Sequence, residues 1–135
     1  MIVVDTNVIS YFYLSSEYSE LAEQLFKKMP YWAAPILWRS EFRNVLSFYI
    51  RKKILNLHDA ISIFEEAATL LQDNEYEINS FQVLTLSHSS GCSAYDCEFV
   101  NLAQNMDIPL VTMDKKILGR FRETAVSIEE YIQKH

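Results

Sequence analysis

Glycine occurs twice, proline three times and cysteine twice in the 135 residues. So few turn-formers exclude a low-complexity or loop-dominated chain and predict short connections. Two cysteines are too few for a disulfide scaffold. With His88 nearby, Cys92 and Cys97 also fit no compact zinc spacing, so a buried, local role is expected. No stretch approaches the roughly 20 apolar residues of a membrane span. The opening MIVVDTNVIS lacks the basic and apolar regions of a signal peptide. The expectation is one cytoplasmic domain, residues 1–135, with no membrane contact.

Positive charge is also scarce, and unevenly placed. The net charge is −6, which on its own argues against a nucleic-acid partner. Yet nine of the twelve basic residues fall in two short stretches, Arg39, Arg43, Arg51, Lys52 and Lys53, then Lys115, Lys116, Arg120 and Arg122. Charge runs are usually solvated helix faces. Here each stretch adjoins a candidate acidic ligand.

What is abundant is apolar residue, half the chain, enough for a real core. Short β-rich runs alternate with longer helical ones. Strands are expected at Ile2–Val4, Tyr31–Ala34, Tyr76–Ile78 and Leu110–Thr112, with an edge strand at Ala125–Ser127. Helices are expected at Val8–Leu14, around Tyr18–Phe26, from Pro35 through Tyr49, from Leu57 to Leu71, at Ser80–Ser89, from Tyr95 to Met106, after Thr112 to Gly119, and at the C-terminus. Core stripes are read at Trp38, Phe42, Val45, Leu46 and Tyr49, then at Leu57, Ile61, Phe64, Ala68 and Leu71, then at Tyr95, Phe99, Leu102, Ala103 and Met106. Of the run Tyr11, Phe12 and Tyr13, part is expected in the core and one ring is free to stack on a base. His58 and His135 are expected at the surface. Alternating strand and helix predicts an α/β fold with a mostly parallel sheet covered on both faces. Right-handed crossovers then bring the carboxyl ends of the strands to one edge, where ligands bind.

Four acids fall at that edge. Asp5 follows the first strand, Glu41 lies early in the helix after the second, Asp96 lies in the first turn of the helix before the fourth, and Asp114 follows the fourth. Each has an ordinary explanation: Ser93-Ala94-Tyr95-Asp96 matches a capping box, Asp5 and Asp114 suit N-caps, and Glu41 suits a positive helix end. Together they suggest more. Clustered carboxylates repel and need cations, and hard oxygen ligands select Mg²⁺ or Mn²⁺ over zinc or copper. Such ions activate water and stabilise the leaving oxygen in phosphodiester cleavage. Glu98, two residues after Asp96, is expected to point elsewhere on its helix.

These segments resemble the PIN-domain ribonucleases, especially VapC-type toxins of toxin–antitoxin pairs. The matching pieces are VVDTNVIS at 3–10, PILWRSEFRNVL at 35–46, SAYDCEFVNLAQ at 93–104 and PLVTMDKKIL at 109–118, in family order. The resemblance implies a three-layer α/β/α sandwich and a divalent-metal site at Asp5, Glu41, Asp96 and Asp114, with Thr6, Asn7 and Thr112 as supporting polar residues. It also implies cleavage of single-stranded RNA, a homodimer, and often a cognate antitoxin protein that blocks the site. Arg39, Arg43, Lys52, Lys115 and Lys116 are the expected RNA contacts. Residues 54–92 match no motif.

Three other readings are weighed at this point. A haloacid-dehalogenase-like phosphatase also begins with Asp after the first strand, but it needs a second acid where this chain has Asn7. A response-regulator receiver lacks its paired acids here. A non-catalytic binding module on the same fold would keep the architecture and do no chemistry.

Overall fold

The structure, a computed structural model, describes residues 1–134. The elements in chain order are β1 (Ile2–Val4), α1 (Thr6–Tyr13), α2 (Ser19–Lys28), β2 (Trp32–Pro35), α3 (Trp38–Arg51), α4 (Leu57–Leu70), β3 (Glu75–Tyr76), α5 (Ser80–Ser90), α6 (Ala94–Met106), β4 (Leu110–Val111), α7 (Lys115–Arg120), β5 (Ala125–Val126) and α8 (Ile128–Lys134). The sheet order is β3-β2-β1-β4-β5, and every pairing is parallel. β1 lies at its centre, buried throughout, as an apolar run covered on both faces must be. Helix α6 packs against β1, β2 and β4 and carries α5. The helices α1, α2, α3, α4 and α8 pack with one another as a second group. The protein is thus an α/β fold, a parallel sheet flanked by helices. Among the described residues no helix is long and apolar enough to cross a membrane.

Several boundaries differ from expectation. Pro35 ends β2 instead of opening a helix. The N–H groups of Ala34 and Ile36 on either side of it bond to Asn74 and Tyr76. The N–H that proline lacks therefore falls away from β3 and costs that pairing nothing. The third strand is Glu75–Tyr76, shifted from Tyr76–Ile78, because β2 pairs Ala34 with Glu75 and Pro35 with Tyr76. Helix α1 starts at Thr6, directly on Asp5, two residues earlier than expected.

The core contains Trp32, Trp38, Phe42, Phe99 and Leu110, all fully buried. Three stripe residues fail to join it. Leu57 and Ile61 are exposed because α4 turns Ala60, Ala67 and Leu71 inward, so its apolar face is wider than the surface it covers. Tyr95 is 63% exposed, since α6 buries Cys97, Phe99 and Val100 instead. The cysteines are free and buried. They occupy the positions just before the Ser93 cap and four residues into α6, where an apolar pair staples the chain entry to the helix. His58 is exposed, and His135 lies outside the described residues.

Candidate active site

The parallel order carries the carboxyl ends of β1, β2 and β4 to one edge, and a cleft of about 540 Å³ opens there. Asp5, Glu41, Asp96 and Asp114 all line it, with Thr6 and Asn7 between them. Four sequence segments thus meet at one place.

A chain of hydrogen bonds holds the acids. Asp5 is the least exposed of the four, at 8%. Its Oδ1 accepts from the Thr6 N–H at 2.8 Å, and its Oδ2 accepts from the Thr112 hydroxyl at 2.7 Å. The same Thr112 oxygen accepts from the Asp114 N–H at 3.0 Å. On the other side the Thr6 hydroxyl donates to Glu41 Oε1 at 2.7 Å. Two threonines therefore link β1, α3 and the loop after β4, and fix where Asp5 and Glu41 point. Asn7 Oδ1 accepts from the Met113 N–H at 3.4 Å, tying α1 to that loop.

The capping explanations are also realised. Asp114 Oδ1 accepts from the N–H groups of Lys116 and Ile117 at 2.9 and 3.0 Å, which starts α7. Ser93 Oγ accepts from the Asp96 N–H at 3.1 Å, one half of a capping box. A cap uses one carboxylate oxygen of Asp114 and the backbone of Asp96. Cap and ligand are compatible roles.

The electrostatics are those of a cluster without its counter-charge. Burial pushes the Asp5 carboxyl up from 3.8 to about 7. Its bonds to Thr112 and Thr6 oppose this, and the charges of Glu41 and Asp96 add to it. Glu41 is raised by burial and by Asp96, against its bond from Thr6. Asp96 is raised by burial and then by Asp114, while Ser93 and Lys116 pull it down. Among the described residues none of the four forms an ion pair. Glu41 and Asp96 raise Asp5, Asp96 raises Glu41 and Asp114 raises Asp96, which is the repulsion expected of clustered carboxylates.

Among the described residues no three His, Cys, Asp or Glu side chains are grouped as a ready-made metal cage. The donor set nevertheless suits Mg²⁺ or Mn²⁺. Magnesium keeps several waters and takes one or two carboxylates plus substrate phosphates, and an open cleft lined by oxygen donors allows this. Asp5, Glu41, Asp96 and Asp114 are the cleft's carboxylates that could hold such an ion.

The basic residues separate into different situations. Arg39 is engaged elsewhere: its Nη2 donates to Glu75 Oε1 at 2.8 Å and its Nε to Glu75 Oε2, and its guanidinium lies over Trp38 and Phe64. Arg43 donates to Ser40 Oγ and also lies over Phe64. Lys52 lies over the Phe48 ring on an exposed surface. Lys116 donates to the Gly91 carbonyl at 3.0 Å and is the cation felt by Asp96. Lys115 is exposed.

The cleft also contains Ser10 and Asn44, which the sequence did not single out, and Tyr11, Val45 and Tyr49, which it gave other or broader roles. Ser10 and Tyr11 line it from α1, and Asn44, Val45 and Tyr49 from α3. Tyr49 and Val45, expected in the core, are half-buried: they pack against the core and also border the cleft. The signal was present as spacing: Ser10 stands four residues after Thr6, and Asn44, Val45 and Tyr49 stand three, four and eight after Glu41, on the same helix faces. Glu98 does not line the cleft, but burial and the charge of Glu41 raise its carboxyl, so it lies within the electrostatic reach of the cluster.

No curated protein matches this sequence. Solved structures match over nearly the whole chain. PAE2754 from Pyrobaculum aerophilum superposes with a TM-score of 0.78 at 19% identity, covering 98% of this chain and 94% of that one. A toxin–antitoxin complex from Klebsiella pneumoniae gives 0.71 at 16% identity, with coverage of 95% and 98%. FitAcB from Neisseria gonorrhoeae gives 0.68 at 17% identity, with coverage of 94% and 96%. Residues 2–126 match the PIN domain family. With this sheet order and the cleft at its carboxyl edge, that match over nearly the whole length places the chain in the PIN domain family.

Proposed function

We propose that this protein is a divalent-metal-dependent endoribonuclease that cuts single-stranded RNA, and that it is the toxin of a toxin–antitoxin pair. The observation that carries the reading is the convergence of Asp5, Glu41, Asp96 and Asp114 on one cleft with no ion-paired cation among the described residues. A structural cluster would be neutralised by Lys or Arg; an unneutralised one suits a bound cation. Mg²⁺ or Mn²⁺ held there supplies a water nucleophile at neutral pH and charge stabilisation of the leaving oxygen. The chain's own part is to orient and to exclude. Thr112 and Thr6 hold both Asp5 oxygens and one Glu41 oxygen. Burial keeps bulk water from Asp5. Arg43, Lys52, Lys115 and Lys116 are the side chains offered to RNA phosphates, whereas Arg39 would first have to leave Glu75.

The alternative phosphatase reading loses ground at Asn7, whose carbonyl oxygen is used by the Met113 N–H. A non-catalytic module gives no reason for four unpaired acids in one cleft. The partner proposals have separate support. One structural neighbour is a toxin–antitoxin complex. An apolar groove of about 320 Å³ between α3 and α4, with exposed Leu57 and Ile61 at its edge, suits a cognate antitoxin protein. Exposed Phe81, Leu84 and Tyr95 suit the second copy of a homodimer.

The test is cleavage of an end-labelled RNA by purified protein freed of any partner. Mg²⁺ or Mn²⁺ should support cutting, Zn²⁺ should support it poorly, and chelator should stop it. Cutting at full rate in chelator would overturn the metal-dependent reading.

A further inference from the structure

The four acids occupy only part of the cleft. Beyond them the walls change character. From α1 come Ser10 and Tyr11, and from α3 come Asn44, Val45 and Tyr49. None of these is a metal ligand by type, and among the described residues the Asn44 side chain and the Ser10 hydroxyl make no hydrogen bond. The Ser10 oxygen is fully shielded yet unpartnered, which is unusual for a buried polar group. Tyr11 is steadied by Tyr18, with ring centroids 5.0 Å apart. From Glu41 to Tyr49 the face of α3 runs eight residues, about 12 Å along the helix axis.

We propose that this outer part of the cleft is a subsite for one unpaired nucleobase beside the scissile phosphate, with Asn44 reading its edge. The inference rests on the nuclease reading and adds the determinant of base preference. Unstacked bases in single-stranded RNA are recognised by aromatic rings on their faces and by polar groups on their edges. Tyr11 and Tyr49 supply rings, Val45 an apolar surface, and the exposed Asn44 amide the unused polar group that reaches the cleft. The Asn44 amide presents a donor beside an acceptor, the pattern that pairs bidentately with adenine.

Asn44 is exposed on α3, so its replacement should leave the fold intact, and a melt of each variant verifies this. The experiment uses RNA with a randomised segment, cut by the purified full chain in Mg²⁺, with product ends sequenced. The native chain should enrich adenine at one position flanking the cut by about tenfold, the discrimination of one bidentate pair. Asn44→Ala should flatten that enrichment. Asn44→Asp, which only accepts, should move it towards cytosine, whose exocyclic amine donates. Tyr49→Leu should raise KM for all four bases and keep their ratio. Cutting by the native chain with no base preference, or an unchanged preference in both Asn44 variants, overturns the subsite and leaves the nuclease reading standing. Should the native chain cut no RNA, the nuclease reading falls, and titration with the four nucleoside monophosphates decides the subsite. An Asn44 side-chain amide resonance that shifts with AMP at lower concentration than with CMP, GMP or UMP supports it. A resonance moved by none of the four overturns it.

Discussion

Two carboxylates of the same sheet, one on β3 and one directly after β1 with β2 between them, are treated in opposite ways. Glu75, on the edge strand β3, is held by both the Arg39 guanidinium and the Trp38 indole N–H, at 2.8 Å for the latter. The Arg39 bond holds its carboxyl below the ordinary range, and burial only partly opposes this. Asp5, directly after the central strand, is more deeply buried and is given two neutral donors, the Thr6 N–H and the Thr112 hydroxyl, with three more acids nearby and no guanidinium. Its carboxyl is driven up to about 7. Chemically the two groups are almost the same. The first is neutralised because its role is to pin α3 to β3. The second is left charged or protonated at a cost to the fold, and such a cost persists where something outside the chain offsets it.

The largest separation between the two should appear on replacing each. Asp5→Asn should remove cleavage by more than the ~10–100-fold typical of a supporting residue at a metal site. In chelator at pH 8 its melting temperature should equal or exceed that of the native chain, because a buried, repelled charge is gone. Added Mg²⁺ should stabilise the native chain and leave the variant nearly unmoved. Glu75→Ala should do the reverse. It strands the Trp38 N–H and unpairs Arg39, so stability should fall by about 1–3 kcal/mol while cutting persists in the fraction that stays folded. An Asp5→Asn chain that is destabilised, indifferent to Mg²⁺ and still active would make Asp5 a structural acid like Glu75.

The same contrast has a pH signature. The unfolded chain releases the Asp5 proton near 3.8, the folded chain only near 7. Between those values the folded state binds more protons, so stability contributed by this group falls as pH rises, by a total on the order of a few kcal/mol. Glu41 and Asp96, both raised, act in the same direction. Glu75 is depressed and acts oppositely: its contribution is present above its unfolded pKa and is lost only as pH falls through its lowered folded value. In chelator, melting temperature should therefore drop from pH 5 to pH 8, and Asp5→Asn should flatten the drop. A flat native profile would remove the stored repulsion from the account.

How much of this was legible in the sequence follows the physics of each signal. Asp5 and Asp114 could be placed because a strand of two or three buried residues ends abruptly, and the next polar residue has to emerge at the sheet edge. Glu41 and Asp96 followed from helical position. A mostly parallel sheet with its carboxyl ends at one edge was readable from alternation, but the strand order and the register of β3 were not, because a two-residue strand is set by its partner. Tyr49 packs against the core as expected, but its place at the cleft was not legible, since periodicity states which residues share a face, not what else that face borders. Leu57 and Ile61 fail for the same reason in the other direction. The Arg39–Glu75 pair, 36 residues apart in sequence, carries no local signal at all.

The smallest expected effect sharpens the comparison where charge is exposed. Arg39 and Lys52 lie on or just beyond the same helix, α3, and sequence alone gave them the same expected role. In the fold Arg39 is bidentate to Glu75 and stacked over Trp38 and Phe64, whereas Lys52 touches only the Phe48 ring. A guanidinium already paired with a carboxylate brings little net charge to a phosphate, so it releases few counterions when RNA arrives. Each lost phosphate contact on a single strand lowers the log–log salt slope of binding by about 0.7. Lys52→Ala and Arg43→Ala should each reduce the slope by about that much with little change in melting temperature. Arg39→Ala should leave the slope almost unchanged and lower the melting temperature, because it removes the pair and the stacking together. Anisotropy titrations of one labelled RNA at several salt concentrations, with Mg²⁺ fixed, measure the slopes. A slope reduced equally by all three replacements would mean that Arg39 leaves Glu75 for the phosphate. The pair would then be a latch on α3 opened by RNA, and Glu75 would belong with the site after all.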